Sequence, residues 1–353
     1  MANCHEAFQD YNYKIKLSDE KRAILISVRE SLRSRIKTNF QRIPGIERKN
    51  LGLDFQSQGS FVMDTIIRPI NDDYDLDDGV YFHDGLSKSE RPVPKVFHEW
   101  IVKAVDTHNE YEKVMDKPTC IRVQYKQGFH IDLPVYYADD FDSPDLGHIQ
   151  KGWILSNPIE FIAWFEEKTK SGFEKKFIYE SVRHNEHFEK WYSDMRKQDC
   201  QLRRLVRYLK AWGDLKRKEM PTGIIMTILV ANNFSIHQRD DIALRNTLFN
   251  IKDYLTRNGI ICPRPTTPVN EDLFESATEQ EKKYFMTALE SFLNSANTAI
   301  ETSNEQVART EWQKHLGNRF KLIISTEIFS KATPNIAALQ RTASRSTPWL
   351  SII

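Results

Sequence analysis

Two aspartates separated by a single residue, Asp75 and Asp77, are the side chains of this sequence best suited to chemistry. They lie in DYDLDDGVYF (73–82), whose apolar and aromatic residues at both ends predict a β-strand. Because strand side chains alternate between the two faces of a sheet, both carboxylates would project from one face and Leu76 from the other. Adjacent carboxylates repel each other and suit divalent cations such as Mg²⁺. For the pair alone, a solvated acidic edge strand is the alternative interpretation.

A third carboxylate and a glycine–serine turn support the metal interpretation. Asp132 lies centrally in FHIDLPVYY (129–137), a second predicted strand, and could provide another ligand. Gln58-Gly59-Ser60 stands where a predicted strand turns into a short predicted helix over 61–69. Glycine lets the backbone approach a phosphate closely, and Ser60 with the amides of the helix start could donate hydrogen bonds to it. The combination predicts a metal site and a phosphate site at one place.

The remaining elements divide the chain into two halves. Apolar residues from Leu25 to Phe40 recur every three or four positions and predict a long amphipathic helix. A hairpin joins the predicted strands 120–125 and 129–137, and Asn157-Pro158-x-Glu160 predicts the start of a helix that continues to about residue 169. Further helices are predicted over 95–108, 186–215, 222–233, 240–257, 277–302 and 304–316, with an extended Pro-rich segment at 263–274. The pattern is a mixed α+β first half and an all-helical second half.

Composition narrows the class of protein but not its activity. The 353 residues suggest about two domains, and 50 Lys and Arg against 49 Asp and Glu give a net charge of +1, which argues against a general electrostatic grip on nucleic acid. The four cysteines lie far apart without a C-x-x-C pair, which argues for reduced thiols and against a structural zinc site. Without a signal-peptide pattern or a long apolar run, we expect a cytoplasmic protein that does not enter a membrane.

Five segments carry a family resemblance. The chain resembles the bacterial cGAS/DncV-like nucleotidyltransferases, or CD-NTases, and most closely the DncV-type cyclic GMP-AMP synthases. The matching segments, in the family's order, are QGSFVMDTIIRP (58–69), DLDDGVYF (75–82), HIDLPVYY (130–137), LRRLVRYLKAWGD (202–214) and LGNRF (316–320). The resemblance implies an α+β fold: a polymerase-β-like nucleotidyltransferase core with a C-terminal helical domain, bilobal around a central active-site cleft. The expected domains are 1–155, the catalytic core with a long N-terminal helix, and 156–353, the helical domain that completes the nucleotide pocket.

The resemblance also implies catalytic roles. Asp75, Asp77 and Asp132 would hold two Mg²⁺ ions, for which Mn²⁺ could substitute, and Asp132 would help to activate an attacking ribose hydroxyl. The segment Gln58-Gly59-Ser60 would hold the donor triphosphate. Lys210 would reach the tail of that triphosphate, although a solvated lysine on a helix face is the alternative.

Other positions leave alternatives open. Thr222 resembles a phosphate-binding serine of relatives, but the preceding loop is shorter here and Gly223 could be the equivalent residue. Tyr136 could stack on a nucleobase or pack under the sheet. The matching strings also contain Asp64 and Asp78, which we interpret as structural. A cluster of arginines on the predicted helix 186–215 has a solvated helix face as its default interpretation; its members are Arg203, Arg204 and Arg207.

The function that the resemblance implies is synthesis of a cyclic oligonucleotide second messenger from NTPs, with ATP and GTP as the expected substrates and pyrophosphate as the leaving group. A product such as cyclic GMP-AMP would act in anti-phage (CBASS) signalling by binding a separate effector. The alternatives are nucleotidylation of an RNA end, a protein or a small molecule, and an inactive nucleotidyltransferase fold that serves as a scaffold. We expect a monomer, open to accessory regulatory proteins, that binds neither a membrane nor double-stranded DNA stably.

Overall fold

A mixed sheet forms the centre of the first half of the chain. The computed structural model describes residues 1–46, 51–83, 85–106, 108–139, 143–169, 199–217 and 219–323. In these ranges the strands are β1 (Gly52–Gln58), β2 (Tyr74–His83), β3 (Tyr111–Asp116), β4 (Cys120–Tyr125), β5 (Phe129–Tyr137), β6 (Asp145–His148) and β7 (Gly152–Leu155). They pair in the order β1-β2-β5-β4-β3. The end of β5 also pairs with β6, and β6 pairs with β7. Only β2 and β5 pair in parallel, so these two central strands run side by side in the same direction.

Helices cover the sheet and form the second half. Those of the first half are α1 (His5–Ile15), α2 (Asp19–Phe40), the single turn α3 (Gly59–Val62) and α4 (Pro94–Val105). Those that follow the sheet, within the described residues, are α5 (Pro158–Thr169), α6 (Gln201–Lys216), α7 (Gly223–Asn233), α8 (Asp240–Asn258), α9 (Glu279–Glu301) and α10 (Glu305–Leu316). Apolar side chains from all these layers bury a continuous core, which positions the sheet face that carries the carboxylates.

The first helix packs on the helical half and not on the sheet. Phe8 of α1 makes edge-to-face contacts with Tyr208 of α6 and with Trp312 of α10. The backbone extends this attachment, since the Ala2 N–H donates to the carbonyl oxygen of Thr302 at 2.6 Å. The N-terminal segment therefore belongs spatially to the helices that lie at the other end of the chain.

Most predicted elements are present. The structure confirms the helix ending at Phe40, the strands 73–82, 120–125 and 129–137, and every predicted helix after residue 220 to within a few residues. Asn157 caps α5 by accepting a hydrogen bond from the Glu160 N–H at 3.0 Å. Of the predicted helix 186–215, the part before residue 199 lies outside the described residues, and α6 provides the remainder.

One predicted helix is wrong and four elements were missed. The predicted helix 61–69 stops at Val62, because Asp64 adopts a left-handed backbone (φ 51°) and the chain then runs irregularly to β2. The missed elements are α1, β3, β6 and β7, which are short or lack a clean apolar period. Of the residues that the structure describes, none belongs to a helix both long enough and apolar enough to cross a membrane.

Candidate active site

The three predicted carboxylates share one face of the sheet. In the parallel register of β2 and β5, Asp77 lies beside Asp132 and Asp75 lies beside His130. Because side chains alternate along each strand, Asp75, Asp77 and Asp132 all project towards the helical half. Asp78 points to the opposite face, where its carboxylate accepts hydrogen bonds from Arg33 and from the Ser57 hydroxyl. The structural role expected for Asp78 is therefore confirmed.

Asp75 and Asp77 form a half-buried pair without a countercharge in contact. Among the described residues, neither carboxylate has a hydrogen-bond or ion-pair partner, which is unusual for neighbouring acids. Burial, and then the negative charges of Asp75 and Asp132, raise the pKa of Asp77 well above its usual range. A carboxylate in this electrostatic situation gains strongly from a bound cation. The pair therefore fits the Mg²⁺ ligation predicted for it.

Asp132 is engaged differently. Arg122 on the neighbouring strand β4 donates from Nε to Oδ1 at 2.7 Å and from Nη2 to Oδ2 at 2.6 Å, so both carboxylate oxygens are occupied. Within the described ranges no three His, Cys, Asp or Glu side chains are arranged to hold one metal ion. The structure thus places Asp132 beside Asp77 but pairs it with a guanidinium. For Asp132 to ligate a metal, Arg122 would have to turn away.

The glycine–serine turn lies directly against the carboxylates. Gln58, the last residue of β1, pairs with Asp77, so Gly59 and Ser60 follow at that end of β2. Gly59 has φ 67°, and a Cβ built there would lie 2.2 Å from Oδ2 of Asp77. Glycine is therefore required for two reasons, the left-handed backbone and the close approach. This geometry leaves a half-buried Ser60 beside the acidic pair, where a phosphate bridged by metal ions could sit.

Lys210 of α6 reaches the same place from the helical half. Its Nζ donates to the carbonyl oxygen and to Oγ1 of Thr65, both at 3.3 Å. Burial lowers the pKa of Lys210 to about 8, although Asp75 and Asp77 favour its charged form. The predicted triphosphate contact is sterically feasible, and the solvated helix face considered as its alternative does not describe this half-buried side chain.

The arginine cluster of α6 is not a solvated face, and that interpretation is wrong. Arg203 is buried, forms a two-pronged ion pair with Glu166 at 2.8 and 2.7 Å, and donates to the Met63 carbonyl at 3.0 Å. Arg207 is fully buried and donates to the Asp64 carbonyl. Arg204 pairs with Asp240 in the same way at 2.7 and 2.8 Å. Arg203 and Arg207 face the turn 63–65 of the first half, whereas Arg204 faces Asp240 of α8.

Asp64 is the centre of this ionic network. Its buried carboxylate pairs with Arg22 of α2 and lies 3.2 Å from Nζ of Lys16 and 3.6 Å from Nη1 of Arg207. Burial alone would raise the pKa of Asp64, but the charges of Arg22 and Arg207 outweigh it and the pKa is lowered. The network fixes the turn 63–65, which follows the Gly59-Ser60 turn and includes Thr65, the residue that accepts hydrogen bonds from Lys210.

The Gly59-Ser60 turn, Asp75, Asp77 and Lys210 open onto one cavity of about 600 Å³ between the sheet and the helices, whereas Asp132 is not among its lining residues. This volume suits a nucleotide-sized ligand. The polar residues that line the cavity are Gln58, Gly59, Ser60, Asp75, Asp77, Tyr136, Ser156, Asn157, Lys210, Asp214, Thr227 and Arg264. The cleft between two halves that the family resemblance implied is therefore present.

Tyr136 and Thr222 are the predicted nucleotide ligands that the structure supports least. One face of the Tyr136 ring is stacked on Tyr81 at 4.6 Å between ring centroids, and only 3% of the residue is exposed, although it lines the cavity. Thr222 is exposed and does not line the cavity, whereas Gly223 does. A Cβ at Gly223 would lie 3.3 Å from Cε of Lys210, so this position, and not Thr222, faces the lysine.

Sequence reasoning missed Arg122, Thr65 and Arg264. Strand alternation across the 120–137 hairpin could have identified Arg122, since its register places it opposite Asp132. The sequence contains no comparable signal for Thr65 or Arg264, because both reach the site from irregular segments.

Comparison with known proteins agrees with this geometry. Residues 53–136 match the family model for the nucleotidyltransferase domain of DncV-like cyclic GMP-AMP synthases, and residues 199–326 match the model for the cyclic GMP-AMP synthase C-terminal domain. The cyclic GMP-AMP synthase of Escherichia albertii is 25% identical over 217 residues, which cover 59% of this chain and 43% of that protein. A c-di-GMP synthase of Roseivirga ehrenbergii is 24% identical over 250 residues, covering 66% of this chain and 63% of that protein.

The fold comparison extends further along the chain. The crystal structure of Vibrio cholerae DncV, a cyclic AMP-GMP synthase, superposes with a TM-score of 0.68 at 19% identity and covers 91% of this chain and 98% of that one. By sequence, the chain aligns with about half of the length of relatives such as the Escherichia albertii enzyme. Because the two family models together cover more than half of the chain, in the order of the two halves described above, the chain belongs to the DncV-like nucleotidyltransferase family.

Proposed function

We propose that this protein is a nucleotidyltransferase that joins NTPs into a cyclic dinucleotide, with cyclic GMP-AMP the expected product. The observation that carries the proposal is the single cavity that unites an unpartnered carboxylate pair, a glycine–serine turn and a half-buried lysine. Relatives named as cyclic GMP-AMP synthases and as a c-di-GMP synthase support a cyclic product. A Vibrio cholerae DncV structure that holds the linear intermediate 5′-pppA(3′,5′)pG supports ATP and GTP as substrates.

The residues of this chain would share the work of positioning and charge neutralisation. Asp75 and Asp77 would ligate Mg²⁺, and two bound Mg²⁺ ions would stabilise the attacking and leaving oxygens. The Gly59-Ser60 turn and Lys210 would hold the triphosphate so that its α-phosphate faces the incoming ribose hydroxyl. Once Arg122 had turned away from Asp132, the Asp132 carboxylate would accept the proton of that hydroxyl. The ribose oxygen would bond to the α-phosphorus, the bond from that phosphorus to the oxygen bridging to the β-phosphate would break, and pyrophosphate would leave.

The biological role that we propose is that of a CD-NTase in anti-phage (CBASS) signalling, with a separate effector that binds the product. This proposed role rests on family membership, because the geometry of the site supports only the chemical reaction. The comparison that tests this role is survival of cells under phage attack with the intact protein and with its inactive variant.

The test of the activity is a double substitution in the acidic pair. With Mg²⁺ and all four labelled NTPs, the intact protein should form a phosphatase-resistant product whose bases mass spectrometry identifies. Asp75→Ala with Asp77→Ala should lower the rate by at least about a hundredfold. The matched control is Asp54→Ala, which removes an exposed strand carboxylate that pairs with His83 and should leave the rate unchanged.

Three results would contradict the proposal. Full activity in the double variant would show that the acidic pair is not the catalytic site. Label that stays linear, or that is attached to a macromolecule, would indicate a different acceptor. Failure of the intact protein to bind NTP with Mg²⁺ would indicate a scaffold.

A further inference from the structure

The segment between α8 and α9, residues 259–278, contributes one charged side chain to the cavity. We name this segment the strap. It is the extended Pro-rich stretch of the sequence, and Arg264 is its only charged residue that lines the cavity. Arg264 has no role in the mechanism proposed above. An arginine at a nucleotide-sized cavity presents up to five N–H donors in a planar fork, which suits two acceptors held side by side.

The strap holds Arg264 in a fixed direction. Its Nε donates to Oε2 of Glu271 at 2.7 Å, its backbone N–H donates to the Glu271 carbonyl at 2.8 Å, and its own carbonyl accepts from the Asn270 N–H at 3.0 Å. Among the described residues, no group accepts a hydrogen bond from either Nη nitrogen. Glu271 therefore orients the guanidinium through one side and leaves its outer pair of N–H groups to a ligand.

The strap is itself anchored. Cys262 and Phe274, near its two ends, are buried in the core, and the Cys262 N–H donates to Oδ1 of Asp272 at 2.8 Å. In the middle, the Thr267 N–H donates to Oε2 of Glu160 on α5 at 3.0 Å. A side chain placed on such a support loses little freedom when it binds, which favours a selective contact.

Arg264 and Tyr136 both line the cavity, and the strap that carries Arg264 is tied to α5, whose first residue lines the cavity as well. The Gly59-Ser60 turn follows Gln58, which pairs with Asp77, and so continues towards the Asp75 end of β2. Tyr136 lies on β5 four residues beyond Asp132, in the other direction, and its ring reaches back so that its hydroxyl donates to Oε1 of Gln58 at 3.4 Å. A base that extends from the turn away from Asp75 would therefore meet Tyr136 and the side of the cavity that Arg264 lines.

We propose that Arg264 selects guanine, by donating hydrogen bonds from its two Nη nitrogens to O6 and N7 of the base whose triphosphate lies on the Gly59-Ser60 turn. Guanine offers two adjacent acceptors on this edge, whereas adenine offers N7 beside an amino group that donates. Arginine paired with this edge discriminates against a wrong base by about 1–3 kcal/mol. The inference rests on the proposed function for the identity of the cavity as a nucleotide site.

The experiment compares GTP with 7-deaza-GTP, which has a C–H in place of N7. Binding of each nucleotide is measured by calorimetry, with Ca²⁺ in place of Mg²⁺ to hold back turnover. We expect the intact protein to bind GTP about 5- to 150-fold more tightly than 7-deaza-GTP, the equivalent of about 1–3 kcal/mol. For Arg264→Ala the two affinities should be equal to within about twofold.

Two control variants separate base recognition from charge and from folding. Arg264→Lys keeps the charge but not the fork, so it should also lose the discrimination between GTP and 7-deaza-GTP. Arg257→Ala removes a largely exposed arginine at the end of α8, paired with Asp253, and should keep the full discrimination.

The outcomes distinguish this inference from the proposed function. Equal affinities of the intact protein for GTP and 7-deaza-GTP would overturn the inference. Equal losses of GTP, 7-deaza-GTP and ATP binding in Arg264→Ala would overturn it as well, because they would indicate a phosphate contact. Guanine-selective binding by a protein that forms no nucleotide product would support the inference and contradict the proposed synthase activity.

Discussion

Lys210 combines two opposite electrostatic influences. Burial lowers its pKa to about 8, while the nearby carboxylates Asp75 and Asp77 favour its charged form. A lysine of this kind is a phosphate ligand only while it is protonated. We therefore expect the proposed active site to be sensitive to alkaline pH in a way that an exposed lysine would not produce.

The first prediction concerns that sensitivity. The charged fraction of Lys210 falls as the pH rises through about 8, so kcat/KM for NTP should decline above pH 8, by up to about tenfold per pH unit. Lys210→Arg stays charged throughout this range and should give a flat profile between pH 8 and 9. Steady-state rates at saturating Mg²⁺ provide the measurement. A profile for Lys210→Arg that falls in parallel with that of the intact protein would assign the decline to another group.

The second prediction concerns Gly59. Alanine there must adopt φ 67° and place its Cβ 2.2 Å from Oδ2 of Asp77, so the turn and the acidic pair cannot both keep their positions. We expect Gly59→Ala to lose at least about tenfold in NTP affinity and about 1–2 kcal/mol in the free energy of unfolding.

Gly128 in the β4–β5 hairpin is the matched control for Gly59. It has φ 88°, and a methyl group added there would meet nothing within 4 Å, so Gly128→Ala carries the backbone cost alone. It should lose stability but keep its NTP affinity. Equal affinity losses in both variants would show that the close approach to Asp77 is unimportant.

The third prediction concerns metal removal. Because Asp75 and Asp77 have no ion-pair partner in contact among the described residues and the pKa of Asp77 is raised, a divalent cation should bind more weakly as the pH falls and Asp77 takes up a proton. Chelation with EDTA should abolish activity, and Mg²⁺ or Mn²⁺ should restore it. The Mg²⁺ concentration for half-maximal activity should begin to rise at a higher pH than the titration of an ordinary aspartate, with a pKa of about 3.9, would produce. A rise confined to pH values near that ordinary pKa would contradict the raised pKa.

At the scale of single residues, the sequence predicted where the side chains lie better than it predicted which groups they contact. Strand alternation correctly placed Asp75, Asp77 and Asp132 on one face, because a period of two needs no tertiary information. It could not by itself predict the ion pair between Arg122 and Asp132, because placing Arg122 opposite Asp132 also needs the register of the hairpin. Nor could it predict Thr65, which holds Lys210 from an irregular segment.

At the scale of elements, α6 joins the two halves through buried charge. Arg203 and Arg207 donate to consecutive carbonyl groups, those of Met63 and Asp64, and the same helix carries Lys210 one turn later. The turn 63–65, which follows Gly59-Ser60, is therefore attached to the helix that supplies the lysine predicted to bind the triphosphate. Amphipathic patterning located this helix but could not show which face was buried, because arginine is normally a surface residue.

The fourth prediction tests this attachment. Asp64→Asn keeps the shape of the side chain but leaves Arg22 and Arg207 without their shared buried countercharge. Breaking a buried pair in this way costs about 3–5 kcal/mol, which urea denaturation would measure. Lys252→Ala removes an exposed pair with Glu290 and should cost less than about 1 kcal/mol. A similar small loss in Asp64→Asn would show that the network contributes little.

At the scale of the whole molecule, the balanced charge of the sequence has a structural counterpart. Several arginines are buried in ion pairs between elements, among them Arg22, Arg203 and Arg207, and are not available to an external polyanion. With a net charge of +1, little electrostatic attraction remains for a long nucleic acid.

The fifth prediction follows from this balance. Adding double-stranded DNA at physiological salt should change the rate of product formation by less than about twofold, because few phosphate contacts can form. The measurement is the rate with and without a long duplex, with heparin as a second polyanion. Activation by more than about tenfold with DNA but not heparin would contradict the prediction.

The position of α1 also decides when this chain can finish folding. The Cys4 N–H donates to Asp241, the Tyr208 hydroxyl donates to the Phe8 carbonyl, and Phe8 packs on Phe320, so these residues bind partners at least 200 positions further along the chain. Contacts with such large sequence separation slow folding, because a long loop must close before they form. During translation, the apolar side of α1 stays uncovered until α10 has emerged from the ribosome. A nascent chain arrested before α10 should therefore depend on chaperones more than the completed protein.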